Sequence, residues 1–270
     1  MVHVAVQCAC SKWIVYSVYN LVASISMKDN VSPAKVGIAR EGDSLIFTLD
    51  HPQAGNEITG AMFENMLHSL RAEAASPTAR VLRIRAEGEV FCRGRERAGR
   101  DAATVRTEVT RLIALKQAVR ETSMISVAEV QGDAAGFGVG LAVLCDFTLV
   151  AEEATLSFPE MRKGLPPAAI MAYLGQYALP KHIFPLILLA DDFTPARALE
   201  IGLITSVCTR NTLRTQADRL VERILAMDPE GTRQCKDYFL AAQAQSMDSN
   251  FRHATDLLTV QTLRLQANQS

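Results

Sequence analysis

What constrains this chain most is the order in which two hydrophobic periods alternate along it. From Val36 onward, short β-type runs alternate with stretches whose apolar residues recur every three or four positions. Ser44-Leu45-Ile46-Phe47-Thr48-Leu49 reads as a strand closed by Asp50-His51-Pro52, since the residue before a proline is held in extended backbone. Ile58, Met62, Met66 and Leu70, with Phe63 and Leu67 beside them, mark one face of a helix that Ser76-Pro77 ends. Val81-Leu82-Arg83-Ile84-Arg85 is the next strand, and Val105, Val109, Leu112 and Ile113 mark the next helix. Ile125-Ser126-Val127-Ala128-Glu129-Val130 follows as a strand, then a glycine-rich turn over residues 132–140 and a short buried helix through Cys145. Phe147-Thr148-Leu149-Val150 and Thr155-Leu156-Ser157-Phe158 complete the series.

A strand–strand–helix unit thus recurs three or four times, which predicts stacked ββα turns in an α/β fold. After Pro167 the pattern is mostly helical. Thr194-Pro195 supplies an N-cap and a first-turn proline, Gly202 suits a helix stop, and residues 211–227 and 229–267 read as further helices. The expected division is an N-terminal extension over residues 1–35, a ββα core over 36–210 and a helical region over 211–270. Within the extension, the apolar run at residues 13–23 is too short and too polar to span a bilayer. Ala23-Ser24-Ile25-Ser26 makes a poor cleavage site, and Met27 opens a polar stretch, so residues 1–26 are expected to be dispensable.

Composition narrows the functional classes. The 270 residues are 49% hydrophobic, enough for a substantial core. Lys and Arg number 28 against 29 Asp and Glu, a net charge of −1, which gives no electrostatic footprint for nucleic acid but leaves room for a local basic pocket. Cys8, Cys10, Cys92, Cys145, Cys208 and Cys235 are scattered with no C-x-x-C pair, the pattern of reduced thiols in a cytoplasmic protein. His3, His51, His68, His182 and His253 form no H-x-x-x-H and no Cys/His cluster, so no metal site is expected. Neither a G-x-S-x-G elbow nor a Walker A loop occurs. Gly136-Phe137-Gly138-Val139-Gly140 opens a helix after a strand, as a dinucleotide fingerprint does, but Leu141 stands where its third glycine is required.

The glycine turn has a chemistry of its own. A helix starting near Gly136 presents free N–H groups and the positive end of its dipole. The loop at Phe91-Cys92-Arg93-Gly94-Arg95-Glu96 also follows a strand and can aim a second N–H at the same spot. Two convergent donors are what a thioester oxygen needs when it becomes an enolate oxyanion. From the residues alone, two ordinary tight turns are the favoured reading.

The stretch VQGDAAGFGVGLAVLCDFTLVAEEATLSFPEMRKGLPPAA, residues 130–169, resembles the crotonase (enoyl-CoA hydratase/isomerase) superfamily, as does TPARALEIGLI at 194–204. HPQAGN at 51–56 and FCRG at 91–94 are similar to earlier motifs of that family, in the same order. The resemblance implies a crotonase-like spiral of ββα turns, with a helical C-terminal region that builds a homotrimer or a dimer of trimers. It implies an acyl-CoA substrate, CoA being part of that substrate rather than a cofactor, with no metal, nucleic-acid or membrane partner.

Residue by residue, the resemblance puts the first oxyanion donor at the Arg93 N–H and the second at the Phe137 N–H. Gly94, Arg95, Glu96 and Arg97 fall beside the CoA moiety, where arginine forks suit phosphate oxygens. Family hydratases use two glutamates; the first falls at Gly140, which carries no proton, and the second at Glu160. The implied activity is that of an enoyl-CoA hydratase. A single carboxylate equally suits Δ3-Δ2-enoyl-CoA isomerisation with Glu160 as the one base. A noncatalytic CoA-ester-binding protein is the third reading.

Overall fold

In the computed structural model, which describes residues 34–97 and 99–267, the alternation of periods becomes an alternation of layers. In chain order the elements are β1 (Lys35–Glu41), β2 (Ser44–Asp50), α1 (Gly60–Ala75), β3 (Val81–Ala86), β4 (Val90–Cys92) and α2 (Ala102–Glu121). Then come β5 (Ile125–Val130), β6 (Asp133–Ala135), α3 (Phe137–Leu144), β7 (Phe147–Ala151), β8 (Leu156–Ser157) and a 3₁₀ turn at Pro159–Lys163. The remainder is α4 (Ala168–Leu174), α5 (Pro180–Leu189), α6 (Pro195–Glu200), β9 (Ser206–Cys208), α7 (Arg210–Leu225), α8 (Pro229–Ala242) and α9 (Met247–Ala267).

Both strands of the first pair, the first strand of each later pair and β9 form one six-stranded sheet, ordered β1-β2-β3-β5-β7-β9. Only β1 and β2 pair antiparallel; the other neighbours are parallel. Parallel strands are covered on both faces and therefore read as nearly continuous apolar runs. Leu45, Ile46 and Phe47 on β2, like Val81, Leu82 and Ile84 on β3, are all buried. The second strands, β4, β6 and β8, form a separate three-stranded parallel sheet. This small sheet decides where chemistry can occur. Because its strands are parallel, the segments leaving β4, β6 and β8 emerge at the same end, and ligands in open α/β sheets sit outside the carboxyl ends of strands.

Helix α3 runs between the layers, and all eight of its residues are buried. Helix α7 covers the far face of the large sheet: Leu213, Ala217, Val221 and Ile224 recur at helical spacing and pack on Val81, Val127, Leu149 and Cys208. Thr194 caps α6, accepting from the Arg197 N–H at 3.1 Å, as the sequence predicts. The structure departs from the sequence reading in several places, including a short strand, β9, within the stretch read as mostly helical. The glycine-rich segment is not one turn, since residues 133–135 pair with both neighbours as β6. The tail from 229 to 267 is two helices, broken before Ser246, whose hydroxyl accepts from the Ser249 N–H as an N-cap. The dispensable extension at residues 1–26 lies outside the described residues.

Candidate active site

Three segments converge beyond the small sheet, and between them lies a cavity of about 480 Å³. Its walls include Arg95 and Arg97 after β4, Gly136 and Phe137 after β6, Glu160 and Lys163 after β8, and Leu112 and Lys116 from α2. Of the residues singled out from sequence, Arg93, Gly94, Arg95, Glu96, Arg97, Phe137 and Glu160 all line it.

Phe137 opens α3, so its N–H has no acceptor within the helix. Gly136 makes that start possible. Its backbone sits at φ +53°, where a side chain is strained, and an added Cβ would lie 2.5 Å from Glu160 Oε1. The Phe137 ring is buried edge-on against Phe63, with centroids 5.2 Å apart.

Arg93 is a correction. Its N–H donates to the Gly55 carbonyl at 2.9 Å, and its guanidinium reaches Asp133 at 4.0 Å, so this backbone donor is already committed. The available N–H on the loop belongs to Arg95. Ile58 bridges Arg95 in parallel fashion, receiving Glu96 N–H on its carbonyl (2.9 Å) and giving its own N–H to the Gly94 carbonyl (3.1 Å). In a parallel bridge the residue between those two bonds directs its own N–H the other way. The Arg95 guanidinium lies 3.8 Å from Glu108, and burial together with the neighbouring Arg97 charge lowers its pKa.

Glu160 is carried on the 3₁₀ turn that Pro159 starts and Gly164 ends. Its Oε2 is buried without a hydrogen-bond partner among the described residues. Burial raises its pKa, against the opposing pull of its own backbone N–H and the positive charges of Arg97, Lys116 and Lys163. A carboxyl in that state is poised to exchange a proton.

Sequence reasoning missed Lys116 and Tyr173. Lys116 Nζ donates to Tyr173 Oη at 2.8 Å, and Tyr173 Oη donates to the Gly140 carbonyl at 2.8 Å. The ammonium group also stands over the rings of Tyr173 and Phe137, 4.8 and 5.4 Å from their centroids. A Cβ on residue 140 would meet Tyr173 Oη at 2.6 Å and Lys116 Nζ at 2.8 Å. The place where the resemblance leads one to expect a first glutamate is therefore filled by an amine and a phenol. A signal existed: Lys116 sits at i+4 from Leu112 and i−3 from Val119, on the buried stripe of α2.

A family profile described as enoyl-CoA hydratase/isomerase matches residues 41–266. The chain belongs to that family. Enoyl-CoA isomerase/hydratase fer4 of Mycosarcoma maydis is 28% identical over 226 residues, covering 77% of this chain and 79% of that protein. The crystal structure of an enoyl-CoA hydratase from Mycobacterium smegmatis superposes with a TM-score of 0.81 at 20% identity, over 85% of this chain and 91% of that one. A putative enoyl-CoA hydratase from Thermobifida fusca, solved in complex with CoA, superposes at 0.79 with 23% identity, covering 88% and 96% of the two chains. These likenesses show the crotonase fold, and the spiral of ββα units described above is that fold. Crotonase-family membership gives the general type of enzyme, while the particular reaction depends on the residues in the cavity.

Proposed function

We propose that this cavity binds an acyl-CoA thioester, stabilises its enolate, and uses Glu160 to move the proton. The observation that carries the reading is the convergence, at one end of the small sheet, of a half-buried carboxyl and two segments, its Oε2 and the N–H groups of Arg95 and Phe137 having no partner among the described residues. As the thioester carbonyl becomes an enolate, backbone donors fixed by a bridge and a helix start need not reorganise, which is where such donors gain most. Gly94, Arg95, Glu96 and Arg97 would hold the CoA moiety, with Arg95, Arg97 and Lys163 giving the cavity the basic edge that phosphate groups require. The T. fusca neighbour with bound CoA supports that ligand class.

The favoured reaction is hydration of a 2-enoyl-CoA; one-base isomerisation of a 3-enoyl-CoA is the second reading, favoured by the absence of a carboxylate at Gly140. For assembly we propose a homotrimer or dimer of trimers, since α9 buries none of its own residues and exposes Phe251, Leu258 and Leu263. Incubation with 2-enoyl- and 3-enoyl-CoA esters, with products identified by mass and ultraviolet absorbance, tests the reaction. Addition of one water to a 2-enoyl ester is the expected result. Binding of every ester without turnover would leave a noncatalytic CoA-ester-binding protein instead.

A further inference from the structure

We propose that Lys116 is the second proton-transfer group of this site, working opposite Glu160 from the place that Gly140 leaves without an acid or base. The inference rests on the acyl-CoA reading and goes past it, because it chooses between two reactions that Glu160 alone leaves open.

The geometry is that of a held, incompletely satisfied amine. Lys116 comes from α2, Tyr173 from α4, Phe137 from α3 and Glu160 from the 3₁₀ turn, and these four elements enclose the amine. An ammonium group has three N–H donors. Here one is accepted by Tyr173 Oη, and among the described residues no carboxylate lies within ion-pair distance. Tyr173 has spent its own hydrogen on the Gly140 carbonyl, so it fixes the amine in place and does not relay the proton; it is a positioning residue. Lys116 and Glu160 line the same cavity, one with spare donors and the other with a spare oxygen. Burial lowers the Lys116 pKa to about 7, with the Glu160 charge acting in the opposite direction, so near neutrality the amine can both give a proton and recover it.

In hydration the step balances without any other reactant. The Glu160 carboxylate accepts a proton from water as the water oxygen bonds to Cβ, and the Cα–Cβ π electrons move into the thioester as an enolate. The Lys116 ammonium gives its proton to Cα, and the enolate electrons form the new C–H bond. Glu160 then returns the proton it took to the neutral amine, which restores the starting state. Isomerisation by one base needs no second group, so the two reactions respond differently to loss of this amine.

The test is turnover of crotonyl-CoA, a short 2-enoyl-CoA, by the full chain and by Lys116→Met, with CoA-ester affinity measured on both. Loss of a positioned acid should lower kcat by roughly 10²–10⁴ while leaving KM little changed. The parent should lose kcat/KM as pH rises through about 7, and that alkaline limb should vanish in the variant. Tyr173→Phe keeps the amine but removes the oxygen that supports its charged form, and should move the limb to lower pH. Parental kcat in Lys116→Met would overturn the proposal. So would an equal loss of kcat and affinity with the limb retained, which is the mark of a structural role. Should Lys116→Met fail to fold, an unmoved limb in Tyr173→Phe overturns it. A parent that isomerises 3-enoyl-CoA but hydrates nothing removes Lys116 and leaves the acyl-CoA reading intact. A parent that binds no CoA ester removes both.

Discussion

Two lysines in this molecule are buried to nearly the same degree, Lys116 at 4% exposure and Lys236 at 6%, and each borders a cavity. Their surroundings differ. Lys236 donates to the Met124 carbonyl at 2.7 Å and to Asp146 at 2.7 Å, and that carboxylate also accepts from the N–H and hydroxyl of Ser126. Every charge in that group is answered. Its cavity, about 710 Å³, is bounded largely by apolar residues such as Ile125, Leu144, Phe147 and Phe239. Lys116 faces a smaller cavity with one neutral partner and a carboxyl held apart from it. Burial alone does not distinguish the two lysines; what differs is the paired anion, present at Lys236 and not found beside Lys116 among the described residues.

Breaking the comparison at its satisfied end should have the largest effect on stability. Lys236→Met leaves the half-buried Asp146 carboxylate without its buried cation, and loss of one partner of such a pair costs about 3 kcal/mol. Denaturant unfolding should show that loss. A variant as stable as the parent would mean that Asp146 is adequately held by Ser126. Next comes Gly136→Ala, which strains a residue at φ +53° and drives a methyl against Glu160. A loss of about 1–3 kcal/mol is expected from the backbone, with turnover falling further than stability because Glu160 is displaced. Equal losses in both would separate Gly136 from the site.

The smallest change sharpens the contrast. The folded pKa of Lys116 lies below its unfolded value of 10.5, so the unfolded chain holds more protons between about 7 and 10.5. The contribution of this group is therefore most favourable above 10.5 and is lost as pH falls to about 7. Lys116→Met should gain about 1–2 kcal/mol over the parent at pH 6, with the gain shrinking as pH rises. Unfolding curves across that range check the sign, and a gain that grew with pH would contradict it.

Much of this was legible beforehand, and the limits have physical causes. The ββα repeat shows in the sequence because parallel strands covered on both faces are apolar throughout, as at Leu45, Ile46 and Phe47. The resemblance brought the FCRG loop, the glycine segment and Glu160 to the same cavity. It put the free N–H of the loop at Arg93 rather than Arg95, because that choice depends on Ile58 bridging Arg95 and on Gly55 accepting from Arg93, contacts between distant segments. Strand β6 is hidden by its length of three residues and its glycine neighbours. Lys116 is hidden by residue type, since lysine on a helix is ordinarily solvated, and only its place on the Leu112–Val119 stripe betrays it. Tyr173 carries no local signal, as its role comes from α4 meeting α2 and α3.

The most direct test of the account is turnover of crotonyl-CoA by Glu160→Gln, measured beside CoA-ester affinity in the same folded protein. Glutamine keeps the shape of the side chain and removes the exchangeable proton. In that variant kcat should fall by roughly 10²–10⁴, about 3–5 kcal/mol of barrier, while affinity stays near that of the parent because the oxyanion donors are backbone N–H groups. Turnover close to the parental value would take Glu160 out of the chemistry and contradict the account.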